Sequence, residues 1–353
     1  MDIKREPFKT KDSNQIVRET GEKKKKSAAL SSRGVVAAAG VNPAEKRAPE
    51  SADGRRNPSP SAAAPAGPCF SERWEGQLAR SMLRMDMEIE QEYAVDIFTW
   101  MMKGQSGSIF RSFDIPKSVT PEMRTVLVDW VVQVHEYLAL EEETLYLAVY
   151  LMNSYLKVHK IQTNKLQLLA SSCLYIACKM EEPLIPEPAE LCFMMEDAFT
   201  KKELLTMEKK VLHRLRFQLQ YSQPLHFLRL LAIAANCPEK VLYIAMYFME
   251  LTLLEAEGLT IEAALLASGA LRLALTVSPE PGPPMPDGVS PLYSYSEAQL
   301  VGCQQLMARS ALRADLKSSW QKYSRPQKLE VSAGPALTPK NLIRHIGALS
   351  TRL

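Results

Sequence analysis

Apolar residues recur along most of this chain at intervals of three and four positions, which is the spacing of an amphipathic helix. No segment shows the strict alternation of apolar and polar residues that is typical of a half-buried β-strand. We therefore predict an all-α protein. Its predicted helices cover residues 93–102, 142–158, 164–182, 189–195, 200–215, 223–235, 238–255, 260–276 and 296–312, with two more beginning at 120 and 338.

Capping residues mark where several of these helices begin. Thr120 is predicted to cap a helix whose first residue is Pro121, because a proline at that position sacrifices no hydrogen bond. Thr200 and Glu203 have the spacing of a capping box, which is a specific start signal. Thr260 is predicted to cap the helix that follows it.

The stretch "MRTVLVDWVVQV", residues 123–134, is apolar around most of its circumference when it is placed on a helix. Its narrow polar arc holds only Thr125, Asp129 and Gln133. Such a helix needs neighbours on nearly every side. Arg124 nevertheless points into the apolar part, so its permanent charge requires a partner elsewhere in the chain.

Composition divides the chain into a tail and a body. Residues 1–60 hold fourteen Lys or Arg against eight Asp or Glu, which gives this stretch a net charge of +6. Few large apolar residues are present to offset the entropy of ordering, so we expect disorder over residues 1–80. The remainder is predicted to comprise an N-terminal helix and linker at 81–119, helical units at 120–220 and 221–330, and a C-terminal tail at 331–353.

The sequence favours a reduced, intracellular protein. No secretory signal or stretch of ~20 apolar residues is expected, and the six cysteines form no C-x-x-C pair. We therefore expect no membrane partner and a location in the nucleus and cytoplasm. The run Lys23–Lys26 is either a nuclear-import signal or a solvated group of charges, and the sequence leaves both readings open.

No constellation typical of an enzyme is evident. The chain has no Gly-rich phosphate loop and no pair of histidines with metal spacing, so neither a cofactor nor a metal is expected. The cysteines and methionines are interpreted as core residues. Basic residues cluster in the tail instead of forming a stripe with aromatics in the body, which argues against a nucleic-acid partner. These observations favour a helical binding module.

Several ordered stretches carry a family resemblance. "MRTVLVDWVVQV" resembles the signature that opens the cyclin box, and it is followed by "ETLYLAVYLMNSYL", "KLQLLASSCLYIACKMEE", "AFTKKELLTMEKKVLHRLRFQL" and "PLHFLRLL". The similarity covers about residues 90–330 and is to the mitotic, A/B-type cyclins. It implies two tandem five-helix cyclin boxes preceded by a helix. It also implies a regulatory subunit, not an enzyme, that activates a cyclin-dependent serine/threonine kinase in cell-cycle control.

The resemblance implies a set of kinase contacts. Lys179 and Glu208 fall where the family places its two main kinase-contacting polar residues, although each alone resembles an ordinary surface residue. The full predicted kinase-binding set is Lys179, Glu208, Tyr93, Ile97, Trp100 and Glu182. For the three residues of the N-terminal helix, the alternative is packing on the chain's own first box.

The resemblance also implies a docking patch for substrates or inhibitors that carry an R-x-L motif. The predicted patch comprises Met123, Val126, Leu127, Trp130, Gln133, Leu166 and Gln167, with valine at 126 where isoleucine is usual. This role requires one edge of the apolar arc to remain exposed. The alternative is full burial of these side chains in the box.

One structural position departs from the family. There the arginine at position 124 is buried against an aspartate on the second helix, whereas this chain has Asn153 at that place. Leu168 is predicted to be a structural residue of the same box. The departure leaves an alternative function open: a non-activating cyclin-fold scaffold or a transcription-associated adaptor.

Overall fold

A computed structural model describes residues 72–84, 91–111, 114–279, 295–314 and 317–350. These residues form α-helices and short 3-10 turns, without a strand, which confirms the predicted all-α fold. The α-helices are α1 (Glu72–Leu83), α2 (Ala94–Gly104), α3 (Pro121–Tyr137), α4 (Glu142–Val158), α5 (Leu166–Glu181), α6 (Pro188–Met194), α7 (Lys201–Arg214), α8 (Pro224–Ala234), α9 (Glu239–Leu254), α10 (Ala263–Val277), α11 (Glu297–Leu312), α12 (Ser318–Tyr323) and α13 (Pro339–Ser350).

The helices form two consecutive groups, each around one central helix. In the first group α5 contacts α3, α4, α6 and α7, and all but one of the residues from Leu166 to Cys178 are buried. In the second group α10 contacts α8, α9, α11 and α13. A helix that is apolar all round is stable only with neighbours on every side, so the composition of α5 explains its central position.

Local capping determines several helix starts. The Thr120 hydroxyl accepts a hydrogen bond from the Met123 amide at 3.2 Å, as predicted. Thr200 and Glu203 form the predicted reciprocal capping box. The prediction for Thr260 is wrong, because this residue ends a 3-10 turn and its hydroxyl donates to the Glu257 carbonyl.

The N-terminal end of the described chain is more ordered than predicted. Residues 1–71 of the predicted tail lie outside the described residues, but residues 72–80 belong to α1 and not to a tail. Leu78 and Met82 are buried, and α1 packs on α8, which supplies the apolar contact that stabilises this helix. The helix predicted to begin at residue 338 is present as α13, which buries Leu342 and Leu349 and packs on α10 and α11.

The buried guanidinium of Arg124 forms hydrogen bonds with both groups of helices. Its Nε donates to Asn153 Oδ1 on α4 at 3.1 Å, and its Nη1 donates to the Leu253 carbonyl at 2.8 Å. Leu253 lies in the last turn of α9, where free carbonyls carry the partial negative charge of the helix. Beside it, the Thr125 hydroxyl donates to the Leu254 carbonyl at 2.8 Å. The start of α3 therefore caps the end of α9.

The compensation of this charge is incomplete. Arg124 Nη2 is buried and has no hydrogen-bond partner within the described part of the chain. Burial lowers the pKa of Arg124 to about 10, an effect that the charge of Glu255 opposes. The guanidinium stays protonated at neutral pH, so the fold carries a buried cation held by two neutral acceptors.

A second buried cation joins three parts of the chain. Lys322 on α12 donates to Glu142 Oε2 on α4 at 2.5 Å and to Glu250 Oε2 on α9 at 2.7 Å. Lys328 donates to the other oxygen of Glu142 at 2.6 Å. Glu250 is 0% exposed and Lys322 2%, so Glu250 depends on this ammonium for its charge compensation, whereas Glu142 is paired with both lysines. Sequence reasoning did not detect this cluster.

We expect Asn153→Asp to stabilise the protein by ~1–2 kcal/mol, the scale of a charge-assisted hydrogen bond. A carboxylate at 153 would accept from Arg124 Nε as the amide does, and its second oxygen could accept from Nη2. Arg124→Ala should then cost more in the Asn153→Asp background than in the natural one. Thermal melts of the double-mutant cycle measure this coupling, and zero coupling would contradict the assignment.

Lys322→Met is expected to destabilise the protein by about 3–5 kcal/mol, because it leaves the fully buried Glu250 without a cation, while Glu142 keeps only Lys328. The matched control is Lys328→Met, which removes a partly exposed ammonium while Glu142 keeps Lys322; about 1 kcal/mol or less is expected. Without Lys322, the folded protein would favour the protonated form of Glu250. The loss of unfolding free energy caused by Lys322→Met should therefore shrink as the pH falls from neutral to 5. If chemical denaturation showed equal losses of unfolding free energy for Lys322→Met and Lys328→Met, the central role assigned to Lys322 would be wrong.

Candidate functional site

Lys179 and Glu208 meet at the surface of the first group of helices. Lys179 stands in the last turn of α5 and Glu208 in the middle of α7, and Lys179 Nζ lies 2.5 Å from Glu208 Oε1. The ammonium also lies 4.2 Å from the centre of the Tyr175 ring. The Lys179 side chain is 38% exposed and that of Glu208 only 10%, so a binding protein would reach the pair from the side of the lysine.

The helix α2 presents aromatic side chains to solvent. Its core side consists of Ala94, Phe98 and Met101, whereas Trp100 is 59% exposed and Tyr93, in the 3-10 turn just before the helix, is 55% exposed. Packing on the chain's own first box, the alternative considered for these residues, therefore does not hold for the two aromatics. Ile97 is half-buried and lines a cavity together with Trp100.

The turn after α5 adds apolar residues that sequence reasoning missed. Met180 is 50% exposed and lines the same cavity as Trp100, and Leu184 and Ile185 follow at 86% and 48% exposure. Their signal was present in "EEPLIPEP", where two large apolar residues stand between prolines that prevent a helix from burying them. Contiguous exposed apolar residues of this kind are typical of protein-interaction surfaces.

We call the exposed residues Tyr93, Trp100, Met180, Leu184 and Ile185, taken together with the Lys179–Glu208 pair, the apolar face. It combines exposed aromatic and aliphatic side chains with one partly exposed ion pair. Interfaces are enriched in aromatics and methionine at their centre, while a charged pair fixes the orientation. The geometry therefore suits the binding of another protein.

Glu182 has an internal role next to this face. Its Oε1 accepts hydrogen bonds from the Glu141 amide at 2.8 Å and from the Thr144 hydroxyl at 2.5 Å. These groups lie at the N-terminus of α4, where free amides and the helix dipole favour a carboxylate. The end of α5 is thereby fixed against the start of α4.

The predicted docking patch is largely covered. The structure buries four of its seven residues: Met123, Leu127, Trp130 and Leu166. The other three are half-buried: Val126, Gln133 and Gln167. The prediction that the docking residues lie at an exposed edge of the helix is therefore wrong for these four buried residues.

The packing of α3 explains this burial. Helix α3 contacts α4, α5, α9 and α12, so its apolar arc has a neighbour on each side. The Ser318 amide and hydroxyl hold α12 to Asp129 at 2.9 Å each. Gln133 instead lines a polar groove of about 620 Å³ between α3 and the segment 318–328. Leu168 is buried in the first group, as a structural residue would be.

Within the described residues we find no candidate for catalysis or metal binding. No group of three or more His, Cys, Asp or Glu side chains in that part of the chain is arranged to hold a metal. Burial raises the pKa of the Cys178 thiol to about 12, which leaves it unsuited to act as a nucleophile. None of the described helices is both long and apolar enough to cross a membrane.

Comparisons with known proteins agree on one family. The family model for the cyclin N-terminal domain matches residues 96–220, and that for the C-terminal domain matches 223–337. A G2/mitotic-specific cyclin-B2 of Oryzias javanicus is 33% identical over 257 residues, which cover 71% of this chain and 67% of that protein. The cyclin-B2 of Oryzias luzonensis is 30% identical over 293 residues, covering 78% and 75%. The chain belongs to the cyclin family.

A solved structure shows the same fold for this cyclin. The viral cyclin of herpesvirus saimiri superimposes with a TM-score of 0.54 at 19% identity, covering 61% of this chain and 97% of the viral one. The relatives support a cyclin of the A/B type, as predicted. The chain spans 57% of the length of the cyclin-B2 of Oryzias latipes and 67% of that of Oryzias javanicus.

Family membership also shows whether the chain is an enzyme or a regulatory subunit. Cyclins are regulatory subunits of kinases and not enzymes themselves, which confirms the prediction of a non-enzymatic chain. The N-terminal cyclin domain begins inside α2 and ends after α7, and the C-terminal one runs from α8 to residue 337. The Lys179–Glu208 pair and the apolar face, apart from Tyr93, thus belong to the first cyclin box.

Replacing Glu182 by alanine is expected to lower the free energy of unfolding by about 1–2 kcal/mol, because two donors at the start of α4 lose their acceptor. Glu182→Gln is the matched control. It keeps one acceptor oxygen and should lose less, mainly the interaction with the helix dipole. Urea denaturation measures both variants. An unchanged stability of Glu182→Ala would show that the carboxylate is free for other contacts.

Proposed function

We propose that this cyclin binds a cyclin-dependent serine/threonine kinase through the apolar face and activates it. The observation that carries the proposal is the exposure of Tyr93, Trp100, Met180 and Leu184, of which Trp100 and Met180 line one cavity, together with a partly exposed ion pair. Burying such side chains against a partner contributes about 1.5–3 kcal/mol each in favourable cases. The family resemblance of Lys179, Glu208 and α2 to kinase-contacting positions supports the same partner.

The cyclin would supply no catalytic group. Protein kinases need their own Lys–Glu ion pair on the αC helix in place before they align ATP. A surface that fits αC only in its inward position binds the active kinase better than the inactive one. That difference in affinity shifts the kinase population towards activity. The rigid box, fixed by Arg124 and Lys322, suits this role because it offers one unchanging surface.

The Lys179–Glu208 pair has a defined part in this proposal. In the free chain the two side chains neutralise one another at 2.5 Å, so neither is left as an isolated charge. On binding, both can instead form hydrogen bonds with backbone groups of the kinase, and charge-assisted bonds of this kind are strong. The pair would therefore orient the complex more than it stabilises the free protein.

We also propose that substrates or inhibitors with an R-x-L motif dock beside α3. The half-buried Val126, Gln133 and Gln167 and the groove that Gln133 lines support this position. Because Met123, Leu127 and Trp130 are buried, docking would rely on the edge of the patch or on a displacement of α12. The setting we propose is cell-cycle control in the nucleus and cytoplasm.

The test is capture of a cyclin-dependent kinase by the full chain, followed by phosphorylation of a serine/threonine peptide. Lys179→Ala or Glu208→Ala should weaken the affinity about ten- to a hundredfold, because a hydrogen bond to a charged group is worth about 1.5–3 kcal/mol. The melting temperature of the free chain should hardly change, since a partly exposed pair contributes only about 1 kcal/mol or less.

Lys210→Ala is the matched control, because Lys210 is exposed on the same helix but points about 160° away from Glu208. It should leave kinase capture unchanged. Undiminished capture by both Lys179→Ala and Glu208→Ala would reject the assigned contacts. A captured kinase that stays inactive would favour the alternative, a non-activating scaffold or transcription-associated adaptor.

A further inference from the structure

A cavity of about 470 Å³ lies between the N-terminal helices and the two boxes. Its apolar wall consists of Met82, Ile97, Trp100, Met101, Leu147, Met180, Leu219 and Leu230. Its size falls in the range of small-molecule sites, about 300–1,000 Å³, and such sites combine an apolar wall with a few oriented polar groups. The polar groups of this cavity therefore decide what it could bind.

Gln223 carries an unused acceptor at the polar end. The residue is 3% exposed and lines the cavity, and its Nε2 donates to Glu181 Oε1 at 3.0 Å. Its own Oε1 is buried without a hydrogen-bond partner in the described part of the chain. A buried amide oxygen left unpaired costs about 1–3 kcal/mol, so a donor that reaches it would be stabilised.

Glu181 adds a negative charge beside this oxygen. It also lines the cavity, and burial together with the nearby charge of Glu143 raises the pKa of its carboxyl. A carboxylate in such surroundings gains from an added cation, which would restore its charged form. Gln223 and Glu181 thus form a pair of acceptors at one end of an apolar cavity.

The basic residues of the cavity wall do not cancel the negative charge at its polar end. Arg229 Nη1 and Nη2 both donate to the carboxylate of Glu143, so its charge is already compensated. His226 is half-buried, and burial lowers the pKa of its imidazole, which is therefore neutral at neutral pH. The uncompensated charge of the cavity is that of Glu181.

We propose that this cavity binds a small organic cation, namely an amine attached to an apolar, ring-sized body. The ammonium would donate to Glu181 and to Gln223 Oε1, and the body would pack against Trp100, Met180 and Leu230. Trp100 and Met180 also belong to the apolar face, so an occupied cavity would lie directly beneath the proposed kinase contact.

The experiment is calorimetric titration of the full chain, without kinase, with tryptamine and with indole-3-propionate. The two probes share one ring system and differ in the sign of their charge. We expect tryptamine to bind and the anion not to bind, because the acceptors and the carboxylate repel a negative group. The measurement is independent of the proposed kinase partnership, so either proposal can fail alone.

Glu181→Gln identifies the site. It preserves shape and is half-exposed, so folding should be retained, but the loss of charge should weaken tryptamine binding about tenfold or more. Glu330→Gln, the same change at an exposed position outside the cavity, should leave binding unaltered. The proposal is overturned by absence of tryptamine binding at millimolar concentration, by equal binding of both probes, or by unaltered binding to Glu181→Gln.

Discussion

The buried ammonium of Lys322 is the contact on which the arrangement of the two boxes depends. It neutralises Glu142 at the start of α4 and Glu250 inside α9, so three distant parts of the sequence meet at one charge. Removing two carboxylates from water is costly, and only a cation with good geometry offsets that cost. Because α12 supplies it, this short helix must lie against α3, where Ser318 bonds to Asp129.

The boundary between the boxes is thus polar at its centre and apolar around it. Arg124 crosses it towards the carbonyl end of α9, and Lys322, which shares the second box with Glu250, crosses it towards Glu142 on α4. Directional contacts of this kind fix one relative position, whereas apolar packing alone tolerates several. A rigid pair of boxes is what a protein requires if it is to select one conformation of a kinase. Because Asn153 is a neutral acceptor, Arg124 depends also on its hydrogen bond to the Leu253 carbonyl of the second box.

Local chemistry could be predicted from the sequence, and long-range pairing could not. The period of apolar residues determined α4 to the residue, and hydroxyl and carboxylate spacing found the caps at Thr120 and Thr200. These signals act within four residues. Lys322 lies 180 residues from Glu142 and gives no local sign of burial. The exposure of Leu184, by contrast, has a local sign, because the prolines on either side of Leu184 and Ile185 prevent a helix from burying them.

Stability and recognition meet at the first turn of α4. Glu142 receives Lys322 there, and the preceding amide of Glu141 binds the carboxylate of Glu182. Glu182 directly follows α5, whose last turn carries Lys179. The start of α4, which Lys322 holds in place through Glu142, therefore also holds the end of α5 in place through Glu182. The position of the proposed kinase contact is set by charges in the interior, which explains how an exposed lysine can be held in one place without being buried.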